Sequence, residues 1–241
     1  MDTVKINSGN TLMVAHRGLS GIERENTYPA FVAAGNRSYF GVETDVHKTA
    51  DGQFVIIHDE TTKRVSLETI DINVEENPYS AVKDIILPDK DGSFNRRDIR
   101  IPLLIDYIKI CKKYDKKCVL ELKNYFEKPD IEKIIEIIRG EDYLENMIFI
   151  SFQLENCVIL RSILKDAEIQ WLTSDITDEI VATLKKEKLN LDVKYTCLTK
   201  ENLNMLHAEG IKVNCWTCDD KEAAEKLVSW GVDFITTNIL E

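Results

Sequence analysis

The chain has no apolar run approaching the length of a membrane span. Its opening residues, MDTVKINSGN, also lack the apolar stretch of a secretory signal. These absences set a cytoplasmic expectation. Positive charge is short as well: 31 Lys and Arg stand against 42 Asp and Glu, a net charge of −11. Non-specific nucleic-acid binding draws on Lys and Arg to neutralise phosphates, so nucleic acid is not expected as a partner. Stable association with an anionic membrane surface is disfavoured for the same reason. Net charge says little about one cleft, and a local basic pocket for a single phosphate stays open. A phosphate turn of the G-x-G-x-x-G kind is missing, since HRGLSG after the first apolar run does not fit it. No internal repeat or low-complexity tract stands out. Six cysteines, at 111, 118, 157, 197, 215 and 218, are expected as reduced thiols in the cytoplasm. The C-x-x-C pair in CWTC, Cys215 to Cys218, has no second ligand pair. It is a weak sign of zinc or redox chemistry and reads as two unpaired thiols near a strand end.

What is present is a regular alternation. The length of 241 residues, with 44% hydrophobic and 30% charged, suits one globular unit, residues 1–241, with a substantial core. Eight β-rich runs recur: TLMVAHR, YFGVETDV, KCVLELK, NMIFISF, AEIQWLT, LDVKYT, IKVNCWT and VDFITT. Between most of them lie segments with apolar residues at helical spacing, such as PDIEKIIEIIRG and DKEAAEKLVSWG. TYPAFVAAGN adds a cap candidate, Thr27, and Pro29 near the first turn. Eight strands with intervening helices predict an α/β fold, a (β/α)8 TIM barrel. Two irregularities are expected. The chain stops directly after the eighth strand, leaving the last βα unit truncated. The stretch from Glu60 to Arg100 is polar, rich in turn signals and too poor in apolar residues for a core of its own. It reads as a small insertion after the second strand, a cap packed over the barrel and not a separate domain.

In such a barrel, polar residues at the C-terminal ends of strands read as active-site residues. VETDVH ends the second run, and Glu43 and Asp45, two apart, point to the same side of the strand. LELK does the same with Glu121 and Lys123 at the end of the third. Neighbouring strands would gather Glu43, Asp45 and Glu121 into one site that needs a counter-charge, and hard oxygen donors suit Mg2+ or Ca2+. A single E-x-D is commonly a strand end in solvent; three carboxylates on adjacent strand ends beside a lysine are harder to explain that way. His16 and His58 each follow an apolar run. One histidine there is more often structural, whereas two beside a carboxylate triad suit general acid–base work. Arg17 offers a fork for bidentate phosphate binding. His47 is expected at the surface, and His207, within a helical segment, is given no role.

The blocks AHRGLSGIERENTYPAF, GVETDVHKTADGQFVIIHDET, RIPLLIDYI and LELK, in that order, resemble the glycerophosphodiester phosphodiesterase family. ISF, CWT and DFITTN carry the likeness on, so that it runs from about Met13 to Asn238. The resemblance implies hydrolysis of glycerophosphodiesters to glycerol 3-phosphate and an alcohol, with a divalent metal, Mg2+ or Ca2+. It implies His16 and His58 as catalytic residues and Glu43, Asp45 and Glu121 as metal ligands. It further implies Arg17 and Lys123 as phosphate contacts, and Glu25 as a supporting acid near the metal. Phe152 and Trp216 match the aromatic wall where the substrate sits, with ordinary barrel packing as the alternative. The partner is then a small molecule, and the oligomeric state stays open, a homo-oligomer included. Two other readings compete: phospholipase-D-like hydrolysis of lysophospholipids, and a barrel that binds phosphate ligands without catalysis. Where relatives carry an RTTNGTG-like turn this chain reads TTKRVSLETIDI, without glycine. That change leaves leaving-group specificity open.

Overall fold

The computed structural model describes residues 2–241. One sheet holds nine strands: β1 (Leu12–Ala15), β2 (Gly41–Lys48), β3 (Phe54–Ile56), β4 (Lys117–Leu122), β5 (Met147–Ser151), β6 (Glu168–Thr173), β7 (Asn190–Lys194), β8 (Val213–Trp216) and β9 (Phe234–Thr237). All but β3 are parallel, and they close a ring because β1 pairs with both β9 and β2. These eight are the eight runs read from the sequence, and the fold is a TIM barrel. β3 lies outside the ring, antiparallel to β2.

Helices α1 (Tyr28–Gly35), α2 (Leu104–Lys113), α3 (Lys128–Gly140), α4 (Leu154–Ile163), α5 (Asp178–Glu187), α6 (Lys200–Ala208) and α7 (Lys221–Trp230) return the chain between strands. Their sequences explain why. In α3, Ile131, Ile134, Ile135 and Ile138 repeat at helical spacing and all are buried. Burial of each isoleucine is worth about 1.5–3 kcal/mol. The Thr177, Thr199 and Asp220 side chains accept from the backbone N–H three residues on, capping α5, α6 and α7. Gly231 ends α7 at φ 87°. After β9 the chain continues for four residues, 238–241, without a helix.

The segment from Glu60 to Arg100 departs from expectation. It has little regular structure beyond a 3-10 turn at Tyr79–Ala81, yet it does own a core. Val65, Val74, Val82, Ile85, Leu87 and Ile99 pack with Val55, Ile57 and Ile101 into a cluster separate from the main one. The apolar residues are spaced too irregularly to show a period in sequence. They converge because backbone bonds such as Val74 N–H to Glu60 O and Leu87 N–H to Ile99 O fold the loop back on itself.

Gly18 sits in the turn after β1 at φ 75°. A Cβ there would lie 2.7 Å from the Ala30 carbonyl carbon in α1. The requirement for glycine therefore comes from the turn and its packing on the helix. Gly18→Ala is expected to lower unfolding free energy by roughly 2–4 kcal/mol, combining left-handed strain with overpacking. A urea denaturation midpoint indistinguishable from the parent's would contradict this account.

Candidate active site

The C-terminal ends of β1, β2 and β4 build the site. β2 and β4 are hydrogen-bonded neighbours in register, with Asp45 opposite Glu121. Strand alternation turns Glu43, Asp45 and Glu121 to one side. One carboxylate oxygen from each lies within 4.8 Å of the others, and all three residues are buried. Burial, then the charges of Asp45 and Glu121, push Glu43 well above the usual carboxylate range. Burial and Asp45 likewise raise Glu121, to about 7. Burial also opposes ionisation of Asp45, but Lys123 and Arg17 outweigh it and hold that acid below its usual value. Lys123 Nζ stands 2.9 Å from Glu121 Oε1 and 3.5 Å from Asp45 Oδ1. Its approach is out of hydrogen-bond alignment, since both oxygens lack a hydrogen-bond partner. Asn26 is a partner that sequence reading missed: its Nδ2 donates to Asp45 Oδ2 at 2.7 Å, and its Oδ1 accepts from Thr44.

Arg17 follows β1 at φ 54°, a left-handed turn that aims its backbone N–H at Glu43 Oε2, 2.8 Å away. Its guanidinium donates to Glu25 Oε1 at 2.9 Å and lies 3.4 Å from Asp45 Oδ2. Glu25 is drawn down to about 2: burial raises it, but hydrogen bonds and charge from Arg64 and Arg17 prevail.

Each of the two histidines has one nitrogen occupied. His16 Nδ1 is 2.8 Å from Asn238 Oδ1, an acceptor, so Nδ1 carries the hydrogen and Nε2 is free, 4.0 Å from Glu43 Oε2. Asn238 is itself held by Asp219, which accepts from its backbone N–H at 2.7 Å. Ser20 Oγ, 2.6 Å from Asn238 Oδ1, completes this support. Burial, then the Arg17 charge, lowers His16 to about 4 and keeps it neutral at pH 7. His58 Nδ1 faces Asp59 Oδ1 at 2.6 Å, again leaving Nε2 free. Burial is the main cause that depresses His58. Arg64, from the segment after β3, binds both Asp59 (Nε to Oδ2, 2.6 Å) and Glu25 (2.8 and 2.9 Å). That arginine latches the surroundings of the two histidines together. His47 is not at the surface as expected. β2 runs on past the barrel beneath the 60–100 segment, burying its ring between Glu75 Oε1 (2.7 Å) and the His58 carbonyl (3.1 Å).

Eight of the ten candidate residues line one cavity of about 110 Å3: His16, Arg17, Glu43, His58, Glu121, Lys123, Phe152 and Trp216. Asp45 is buried beside it, and Glu25 lines an adjoining cleft with His16 and Arg17. Phe152 and Trp216 meet edge to face at 5.5 Å. A larger hollow of about 630 Å3 opens at the opposite end of the barrel and contains none of the ten. Cys215 and Cys218 are buried free thiols.

The model of the glycerophosphoryl diester phosphodiesterase family matches residues 16–241. The chain belongs to that family. It is thus a phosphodiesterase, a hydrolase of phosphoric diester bonds. The glycerophosphodiester phosphodiesterase of Caldanaerobacter subterraneus subsp. tengcongensis is 32% identical, covering 95% of this chain and 94% of its own. That of Bacillus altitudinis is 28% identical over 95% and 94% of the two chains. Among solved structures, the glycerophosphodiester phosphodiesterase of Thermotoga maritima is 26% identical, with a TM-score of 0.73 over 95% of this chain and 94% of its own. A phosphodiesterase of Oleispira antarctica, solved in complex with its product sn-glycerol-3-phosphate, is 24% identical. Its TM-score is 0.83 over 97% and 95% of the chains, a likeness of fold.

Proposed function

We propose that this phosphodiesterase hydrolyses glycerophosphodiesters to glycerol 3-phosphate and an alcohol, with His16 and His58 as the acid–base pair. The observation that carries this reading is the cavity itself. Two imidazoles with free Nε2 atoms open onto it together with two cations and the buried carboxylate cluster. A phosphodiester seated there would place its non-bridging oxygens near Arg17 and Lys123, which hold charge that builds in the transition state. One histidine takes the proton from the nucleophile, water or the substrate's own glycerol 2-hydroxyl, as its oxygen bonds to phosphorus; in the second case water then opens the cyclic phosphate to glycerol 3-phosphate. The other protonates the alcohol oxygen as its bond to phosphorus breaks. Asn238 and Asp59 occupy Nδ1 of the two rings and leave Nε2 for this exchange; the ring that acts as acid enters the step already carrying a proton on Nε2. Glu43, Asp45 and Glu121 fit a hard divalent cation, Mg2+ or Ca2+. All donors are oxygens, and Asp45 Oδ1 and Glu121 Oε1 have no hydrogen-bond partner. When bound, such an ion would supply counter-charge for the phosphate oxygens. Glu25 supports Arg17, and Phe152 and Trp216 wall the substrate. The 60–100 segment acts as a cap within the same catalytic unit, tied to the mouth by Arg64.

No helix among the described residues is long and apolar enough to cross a membrane. With six free thiols, a cytoplasmic setting and a small-molecule substrate suit the chain. The test is a panel of glycerophosphodiesters and lysophosphatidylcholine, each with Mg2+ or Ca2+, read by glycerol 3-phosphate release. Release from at least one glycerophosphodiester is expected. Turnover of the lysolipid alone would transfer the site to the phospholipase-D-like reading.

A further inference from the structure

The acids that face the barrel interior are not all in the carboxylate cluster. Asp192 lies on β7, which the order of the ring places opposite β2. It is 1% exposed and lines the same cavity as the two histidines. No lysine or arginine pairs with it among the described residues. Its Oδ2 accepts from Asn214 Nδ2 at 3.1 Å, and that amide also donates to Gln170 Oε1 at 3.2 Å. Thr236 Oγ1 donates to Asn214 Oδ1 at 3.2 Å. The amide and its neighbours are thereby satisfied, but Asp192 Oδ1 has no partner. Trp216 Nε1, on the adjacent β8, is a second buried polar atom without one.

A buried polar atom without a partner is costly and calls for a ligand or water. We propose that Asp192 is a specificity residue whose Oδ1 hydrogen-bonds a neutral hydroxyl at the glycerol end of the substrate, across the barrel from the carboxylate cluster. This rests on the glycerophosphodiester reading of the cavity. The partner is a hydroxyl on chemical grounds. A phosphate oxygen would meet a carboxyl with no cation beside it, while Arg17 and Lys123 already serve phosphate elsewhere in the cavity. A hydroxyl both donates and accepts, so it answers either form of the acid. Burial, then the Glu121 charge, push Asp192 well above the usual carboxylate range, which favours the form that donates from Oδ1. A site built around such a bond discriminates against the analogue that lacks the hydroxyl, because the protein group is then left unpaired.

The test compares inhibition constants of glycerol 3-phosphate and n-propyl phosphate against phosphodiester hydrolysis, in one metal-containing buffer. The parent is expected to bind glycerol 3-phosphate more tightly. In Asp192→Leu and the smaller Asp192→Ala, the glycerol 3-phosphate constant is expected to rise about tenfold while that for n-propyl phosphate stays in place. Asp192→Asn, which keeps an acceptor for Asn214 and a donor for the hydroxyl, is expected to restore the preference. Two apolar variants guard against one failing to fold, and thermal melts identify which fold. Equal weakening of both ligands, or of neither, in a folded variant would make Asp192 a purely structural acid and overturn the assignment. A parent that hydrolyses glycerophosphodiesters but shows no preference between the two phosphates overturns it as well. A parent that neither hydrolyses them nor binds glycerol 3-phosphate overturns the reading of the cavity itself.

Discussion

Replacing His16 or His58 with alanine is expected to lower kcat on a glycerophosphodiester by roughly 10²–10⁴-fold each, the usual worth of a positioned acid or base. At about 1.4 kcal/mol per decade this is about 3–6 kcal/mol of transition-state stabilisation. The geometry says why the loss falls on kcat. Each ring spends Nδ1 on a protein partner, Asn238 or Asp59, and keeps Nε2 for the reacting atoms. Neither ring is a structural pillar: the side chains are 19% and 31% exposed, so the fold should survive their removal. The double variant is expected to lose less than the product of the single losses, because acid and base act in one displacement. Initial rates of glycerol 3-phosphate release, with circular dichroism as a fold check, measure this. Parental rates in both single variants would remove the histidines from the mechanism.

The second large effect concerns the carboxylate cluster and is expected in stability as well as in rate. With EDTA, activity should fall by at least about 10³-fold if a bound cation supplies the missing counter-charge. Thermal melts give an independent reading. Glu121 is raised to about 7 in the folded protein by burial and by Asp45. An acid whose folded value lies above its unfolded one favours folding fully at low pH. That contribution is lost as pH rises from about 4.5 through about 7, here on the order of 3 kcal/mol. Metal-free parent should therefore be less stable than metal-free Glu121→Gln at pH 8, with the gap closing below about pH 5. Added Mg2+ or Ca2+ should reverse the order. A ligand at about one thousand times its Kd adds about 4.1 kcal/mol to the parent, more than that deficit, and the variant loses most of the gain. Equal responses of parent and variant to the cation would show that it binds elsewhere.

Much of the barrel was legible because parallel strands buried on both faces read as short β-branched runs, and the helices between them keep a 3.6-residue period. His16, Arg17, Glu43, Asp45, His58, Glu121 and Lys123 were readable as candidates because they stand at or just after the ends of apolar runs, where the fold gathers polar groups, whereas Glu25, Phe152 and Trp216 rested on the family resemblance. What escaped were single polar residues whose meaning depends on closure of the ring. Asn238 meets His16 only because β9 returns beside β1. Arg64 meets Glu25 across 39 positions of sequence. Asp192, an acid in the middle of the run LDVKYT, did leave a trace: its alternation with Leu191 and Val193 turns it inward, where an unpaired carboxyl needs a reason. His47 and the core of the 60–100 segment escaped for a related cause: the segment's apolar residues show no period, and His47 meets Glu75 only once that segment has folded beside β2.

The position of β3 also bears on solubility. A closed barrel has no free strand edge, but β3, added outside the ring, would expose one, a template for an intermolecular sheet with another chain. Here the stretch leading into α2 lies along it. Ile56 N–H donates to Pro102 O at 2.9 Å, and Val55 bridges Leu103. Proline has no N–H to extend the ladder further. Shortening the chain just before α2 would thus risk self-association of the protein through β3, in addition to loosening His58, which stands two residues beyond that strand.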